Sequence, residues 1–208
     1  MSAVEVADMF ASRAVAARGQ RALILAVSGI DASGKTTIAS QIAARLAAVE
    51  VHTVVVALDD WHTPASVRFS TTDPAGHFYR HAYRYDELFA TIVEPIRRDR
   101  RIDAELHLRR LRNDAEFRTR FRAEAVDVLM LEGIFLLRRE LRDRYDGRVW
   151  VDCSFERALE RAVARNQEGL PPDRIVDDYR RIYFPAERLH FTLDNPRAHA
   201  DAIVPNDC

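Results

Sequence analysis

Apolar positions recur along the chain with two periods. In residues 4–17, Val4, Ala7, Phe10, Ala11, Ala14 and Val15 fall at helical spacing and predict an amphipathic lead-in helix. After Gly19 the short unbroken run ALILAVS (22–28) reads as a strand buried on both faces. A turn-like stretch at 29–36 follows, and Ile38, Ile42 and Leu46 mark one face of a helix to about residue 49. The alternation then returns. HTVVVAL (52–58) predicts a strand ending at Asp59, and Asp86 to about Arg98 predicts a helix with Pro95 as its weak point. The intervening stretch, rich in His, Thr, Pro, Tyr and Arg, receives no element. Between Glu105 and Arg122, Leu106 and Leu108 precede Asn113-Asp114, and Phe117 and Phe121 follow it, as in a β-hairpin. Val126–Leu131 gives a third buried strand, ending at Glu132-Gly133, and RVWVD (148–152) a fourth. A helix from about Phe155 to Arg165, a break at Glu168–Pro172, a long helix from about Asp173 to Leu193 and a short strand at Ala202–Val204 complete the pattern.

Strands alternating with helices predict an α/β fold: a mostly parallel sheet covered by helices on both faces. The chain of 208 residues suits one domain, with residues 1–19 as an N-terminal helix before a core spanning 20–206. With 48% apolar and 30% charged residues the composition is that of an ordinary soluble protein. The longest apolar run, Ala22–Val27, is too short to span a bilayer, and residues 1–19 lack the basic start and apolar core of a secretory signal, so no membrane association is expected. Cys153 and Cys208 have no metal or redox spacing, and a reducing, cytoplasmic setting is the default expectation. A net charge of −1 offers no global positive field for nucleic acid, so the arginines need local explanations. A homo-oligomer is compatible with everything above.

Gly29-Ile30-Asp31-Ala32-Ser33-Gly34-Lys35-Thr36 fits the phosphate-loop pattern G-x-x-x-x-G-K-[ST], after a buried strand and at the start of a helix. Glycines let backbone amides turn toward phosphates, and the helix N-terminus adds its dipole. Lys35 is then expected to reach the β- and γ-phosphates of ATP, with Thr37 beside it, and the Thr36 hydroxyl to hold Mg²⁺. Lys35 is also the single lysine among 31 basic residues. A compact ammonium fits among amides closing on a phosphate, where a planar guanidinium does not.

Ligands of open α/β sheets bind beyond the carboxyl ends of the strands. Asp59, Asp60 and Glu132 end predicted strands and so are expected to face the same crevice as the phosphate loop. One of these carboxylates can accept a proton from an acceptor hydroxyl, and another can organise Mg²⁺ and its waters.

The ordered set GIDASGKTT, LDDWH, LEGIF, RVWVD, FERALERAVAR and ADAIVPND resembles the uridine kinase family, within the wider group that holds phosphoribulokinase and pantothenate kinase. The resemblance spans roughly residues 20–206. It implies a P-loop fold with a hairpin over an acceptor site and a short lid, and transfer of the ATP γ-phosphoryl group to a hydroxyl of a small molecule. The family's Asp-x-aromatic-[Tyr/His] motif matches Asp59-Asp60-Trp61-His62, which implies Asp59 as the base, and its Glu-Gly matches Glu132-Gly133, which implies a magnesium or acceptor role for Glu132. Arg161 and Arg165 resemble its lid arginines, with Arg165 expected on the transferring phosphoryl group.

The sequence departs from the family in the acceptor region. Where uridine kinases carry an Asp-His-Pro-Asp-like stretch for the ribose hydroxyls, residues 80–86 read Arg-His-Ala-Tyr-Arg-Tyr-Asp. The hairpin has Leu108-Arg109-Arg110-Leu111 in place of the family's Pro-x-Tyr-Asp, and Glu168-Gly169-Leu170 replaces the lid's Arg-Gly-Arg. Two readings of Arg80, Arg84, Arg109 and Arg110 stand: contacts to an acceptor bearing a carboxylate or phosphate, or a solvated face paired with Asp103, Glu105 and Glu116. Trp61, Tyr83 and Tyr85 are candidates to stack on the acceptor, or else packing. A regulatory ATPase with no small-molecule acceptor remains open as an alternative, whereas the balanced net charge and the lack of an RNA motif argue against an RNA-binding protein using the arginine-rich hairpin, and no nucleic-acid partner is expected.

Overall fold

The computed structural model describes residues 1–167 and 169–207; Glu168, within the expected break, and Cys208 lie outside the described residues. Helix α1 (Ala3–Ala17) begins with a capping box: the Ser2 hydroxyl accepts the Glu5 N–H and the Glu5 carboxylate accepts the Ser2 N–H. Strand β1 (Leu23–Gly29) leads through the glycine loop into α2 (Lys35–Ala47), and β2 (Thr53–Ala57) follows. A 3₁₀ turn at Leu58–Trp61 leads into two helices absent from the periodicity, α3 (Ala65–Arg68) and α4 (Pro74–His81). Asp73 caps α4 by accepting the Gly76 N–H, and Pro74 occupies its first turn.

The helix expected at Asp86–Arg98 is continuous but not uniform: α5 (Tyr85–Leu88), a π turn at Phe89–Val93 and α6 (Glu94–Asp99). The expected long C-terminal helix repeats the design as α8 (Pro172–Asp178), a π turn at Tyr179–Tyr183 and α9 (Phe184–Asp194). In both, a proline stands second after the wide turn, Pro95 and Pro185. Proline lacks an N–H and crowds the carbonyl four residues back, so a turn bonded i→i+5 accommodates it where an α turn would kink. The weak point expected at Pro95 is thus a local widening.

The antiparallel hairpin β3 (Ile102–Arg109) and β4 (Glu116–Ala123) forms a separate sheet, with Leu108 opposite Phe117. Strands β5 (Val128–Gly133) and β6 (Gly147–Asp152), helix α7 (Phe155–Arg165) and β7 (Ala202–Pro205) complete the elements. The main sheet is parallel throughout, in the order β2-β5-β1-β6-β7. Its central strands are apolar on both sides because both sides are covered. Leu23, Leu25 and Val27 face α1 and α2, while Ile24 and Ala26 face Leu88, Phe89, Phe135 and Trp150. Edge strand β2 is only partly buried, and Val55 is exposed. Among the described residues, no helix is long and apolar enough to cross a membrane.

Candidate active site

The carboxyl ends of β1, β2 and β5 bring the phosphate loop, Asp59 and Glu132 together, as the strand-end argument expects. At the loop's last glycine the backbone is left-handed (Gly34, φ +91°), and a Cβ there would run into the Asn206 side chain. Asn206 in turn donates to the Ser33 carbonyl at 2.7 Å, and Arg161 Nη1 reaches the same carbonyl at 3.4 Å. Lys35 is buried at the start of α2, and its Nζ donates to the Ile30 carbonyl at 2.8 Å. Gly34 and Lys35 border a cleft of about 690 Å³ shared by Thr36, Thr37, Glu132, Arg161 and Arg165. Gly29 and Ser33 shape the turn from outside that lining.

The Thr36 hydroxyl donates to Glu132 Oε1 at 3.1 Å, so the expected magnesium pair is adjacent. Burial pushes the Glu132 carboxyl up, reinforced by the Asp59 charge and opposed by Lys35. Gly133 follows Glu132 because Leu58, at the start of the 3₁₀ turn, packs where a side chain would stand. Leu58 and Trp61 are both buried and anchor the turn on either side of Asp59. The His62 ring closes it: Nδ1 donates to the Asp59 carbonyl at 2.6 Å, and the ring stacks on Tyr83 at 4.6 Å. Tyr83 donates its hydroxyl to Asp59 Oδ1 at 3.3 Å, and burial together with the Asp59 charge pushes the phenol well up, so it keeps the proton it donates.

A second, smaller chamber of about 30 Å³ lies beside the large cleft and includes His62, Tyr83, Phe78 and Leu111 in its wall. Asp31, Asp59, Arg165 and Gln167 line both spaces and therefore form the boundary between them. Asp60 lines neither and is exposed.

Asp31 is held from beneath by the C-terminal helix. Its N–H donates to Glu187 Oε1 at 2.5 Å, and its Oδ2 accepts the Tyr179 hydroxyl at 2.5 Å. Burial pushes the Asp31 carboxyl up, but Lys35, the Tyr179 hydrogen bond and Arg165 outweigh it and hold the carboxyl below its usual range. Burial pushes Glu187 well up, and its Oε2 has no hydrogen-bond partner among the described residues.

Several expected acceptor residues lie elsewhere. Arg80 turns outward to Asp73 at 2.6 Å because both, seven residues apart, are exposed on one side of α4. Trp61 is core, with Arg84 over its ring, and Tyr85 is half-buried against Arg138. Arg109 bonds to the Asp114 carbonyl and pairs with Glu116, while Arg110 stacks on Phe117. Arg120 and Arg122 converge on Asp103, and Arg118 meets Glu105, so much of the hairpin's positive charge is spent within the hairpin. The residues that reach the site without having been expected are Arg68, Gln167, Asn206, Tyr179 and Glu187; Asn206 falls within the ADAIVPND segment, while the others stand outside any motif.

The Phosphoribulokinase / Uridine kinase family matches residues 24–182. A uridine kinase of Staphylococcus aureus is 23% identical over 187 residues, covering 88% of this chain and 86% of that protein. Among solved structures, the chain is similar to a possible uridine kinase from Bacillus stearothermophilus, with a TM-score of 0.71, 20% identity and coverage of 95% and 96% of the two chains. It is also similar to a fructose transport system kinase, so assigned provisionally, from Silicibacter sp. TM1040, with a TM-score of 0.74, 20% identity and coverage of 99% and 100%.

Proposed function

The chain belongs to the phosphoribulokinase and uridine kinase family, and from that premise we propose that it transfers the γ-phosphoryl group of ATP to a hydroxyl of a small molecule. The observation that carries this reading is the boundary between the two spaces. A large cleft on the phosphate loop and a small chamber meet at Asp31, Asp59 and Arg165, where a donor and an acceptor would face each other.

The residues suit ATP and Mg²⁺. A left-handed Gly34, a buried lysine and a helix start form a phosphate cradle, and a hydroxyl beside a carboxylate is the oxygen donor set Mg²⁺ accepts alongside waters and phosphate oxygens. When bound, ATP supplies the transferable group and Mg²⁺ neutralises its charge. Lys35 and the loop amides hold the phosphates, and Thr36 and Glu132 hold the metal. Asp59 faces the acceptor space with its carbonyl fixed by His62 and its carboxylate by Tyr83, a placement suited to accepting the hydroxyl proton. Arg165, 3.8 Å from Asp31, stands where it can neutralise the phosphoryl group in transit. Positioning and charge supply most of the acceleration in such transfers.

A screen of alcohols tests this, with ATP consumed counted against phosphorylated product. Equal amounts are expected for true acceptors. ATP hydrolysis without product from any alcohol would favour a regulatory ATPase instead.

A further inference from the structure

Arg68 is the buried cation of the acceptor chamber. It ends the short helix α3, is 4% exposed, and lines the chamber together with His62 and Asp59. Its Nη1 donates twice, to the Thr63 carbonyl and to Asp114 Oδ1, each at 2.6 Å. Nε and Nη2 bond to no described residue, and neither is sealed from solvent without a partner. A guanidinium carries five N–H donors, and the edge formed by Nε–H and Nη2–H is one that pairs side-on with two oxygens of a carboxylate or phosphate. That is the edge left free here. Phe69 lies against the guanidinium at 4.9 Å, and Asp114, in the hairpin turn, holds the opposite side, so the fork is fixed before any ligand arrives.

The neighbouring groups complete a recognition surface. His62 Nδ1 carries a proton because it donates to a carbonyl, which leaves Nε2 as an acceptor in the neutral ring. Burial lowers the His62 pKa and Arg68 adds to that, so the ring is neutral near pH 7. The chamber thus offers the fixed Arg68 fork and one neutral acceptor, with Asp31, Asp59 and Arg165 at its boundary with the large cleft.

We propose that Arg68 reads an anionic group of the phosphoryl acceptor, a carboxylate or phosphate, and that the site takes small anionic alcohols in preference to neutral nucleosides. This rests on the kinase reading above and names its substrate class. The hairpin serves the site through Asp114, which sets the guanidinium, and Leu111, which closes the wall.

The experiment uses the full chain with ATP and Mg²⁺ and measures both phosphorylated product and equilibrium binding. The probes are glycerate against glycerol, ribose 5-phosphate against ribose, and uridine. The proposal expects the anionic member of at least one pair to exceed its neutral partner by about 10- to 100-fold, the range for hydrogen bonds to charged groups. Which pair shows the preference distinguishes carboxylate from phosphate. Arg68→Gln is expected to raise KM for the preferred anion by the same factor and so erase its advantage over the neutral partner, with ATP binding and a urea melt reporting that the fold is kept. Arg68→Lys, which keeps the charge but not the fork, is expected to fall between. The proposal is overturned if no anionic probe exceeds its neutral partner in turnover or binding, or if Arg68→Gln and Arg68→Lys leave the preference intact. Phosphorylation of neutral alcohols that depends on Asp59 but shows no anion preference would overturn this inference and leave the kinase reading standing. ATP consumption with no phosphorylated alcohol would overturn both.

Discussion

Replacing Asp59 by Asn separates chemistry from structure at this site. Asn keeps the volume, and its Oδ1 still accepts the Tyr83 hydroxyl, a contact already long at 3.3 Å. The His62 bond runs to the Asp59 backbone carbonyl and is untouched by the change. Leu58 and Trp61 continue to anchor the turn, so stability should change by less than about 1 kcal/mol. Proton acceptance is lost entirely. A positioned general base contributes about 10²- to 10⁴-fold, or roughly 3–5 kcal/mol of barrier. Asp59 also borders the nucleotide cleft, but Lys35, Thr36 and the loop amides carry the phosphates, so ATP affinity should stay within about threefold. The assay is single-turnover transfer with the best alcohol from the screen, read alongside equilibrium ATP binding and a urea melt. A slowed transfer step with unchanged binding and melting is the expected outcome. Turnover within a few-fold of wild type would refute the assignment, because no other carboxylate at the chamber boundary except Asp31 is placed to substitute, and Asp31 is already engaged by Tyr179.

Three further outcomes follow from the same geometry. Gly34→Ala places a side chain in left-handed backbone and against Asn206, so nucleotide binding should weaken about 10-fold or more at a strain of roughly 1–2 kcal/mol; titration with a non-hydrolysable ATP analogue measures it. Thr36→Val removes the hydroxyl beside Glu132 and should raise the Mg²⁺ concentration giving half-maximal transfer by about 10-fold or more, with excess Mg²⁺ restoring part of the rate. Asp194→Asn should flatten the acid limb of stability. Burial raises the Asp194 carboxyl, but hydrogen bonds from His190, Tyr79 and the Arg139 N–H outweigh it and hold the pKa at about 2, against 3.8 without the fold. The lowered value means this contribution, about 2 kcal/mol, is present above pH 3.8 and lost as pH falls through 2, so wild type and variant should converge in urea midpoint over that window.

The sequence carried the central sheet and the nucleotide half of the site for identifiable reasons. A strand buried on both faces is a continuous apolar run, as at residues 22–28, and the phosphate loop is a local motif whose chemistry needs neighbours in sequence. The acceptor half is assembled from distant pieces. Arg68 became a site residue because Asp114, 46 positions away, fixes its guanidinium, and nothing in the local pattern around residue 68 distinguishes it from the other arginines. Arg80 and Arg109, more conspicuous beside aromatic and hairpin signals, are drawn off by Asp73 and by Asp114 and Glu116. The α3 and α4 helices escaped notice for a related reason: at four and eight residues they are too short to show a period.

The wide turn at Tyr179–Tyr183 sets an angular phase. Tyr179 and Glu187 are eight residues apart, and in an unbroken α-helix that separation overshoots two full turns by roughly 80°. The additional residue taken up by the π turn absorbs most of that overshoot, so both side chains come round to the same side of the helix and grip Asp31 through its carboxylate and its N–H. Pro185, a residue usually read as the end of a helix, thereby acts as a gear tooth between two segments of one helix. A lineage that kept every residue here but closed the wide turn into regular α-helix would keep its core contacts upstream, yet rotate Glu187 away from the phosphate loop.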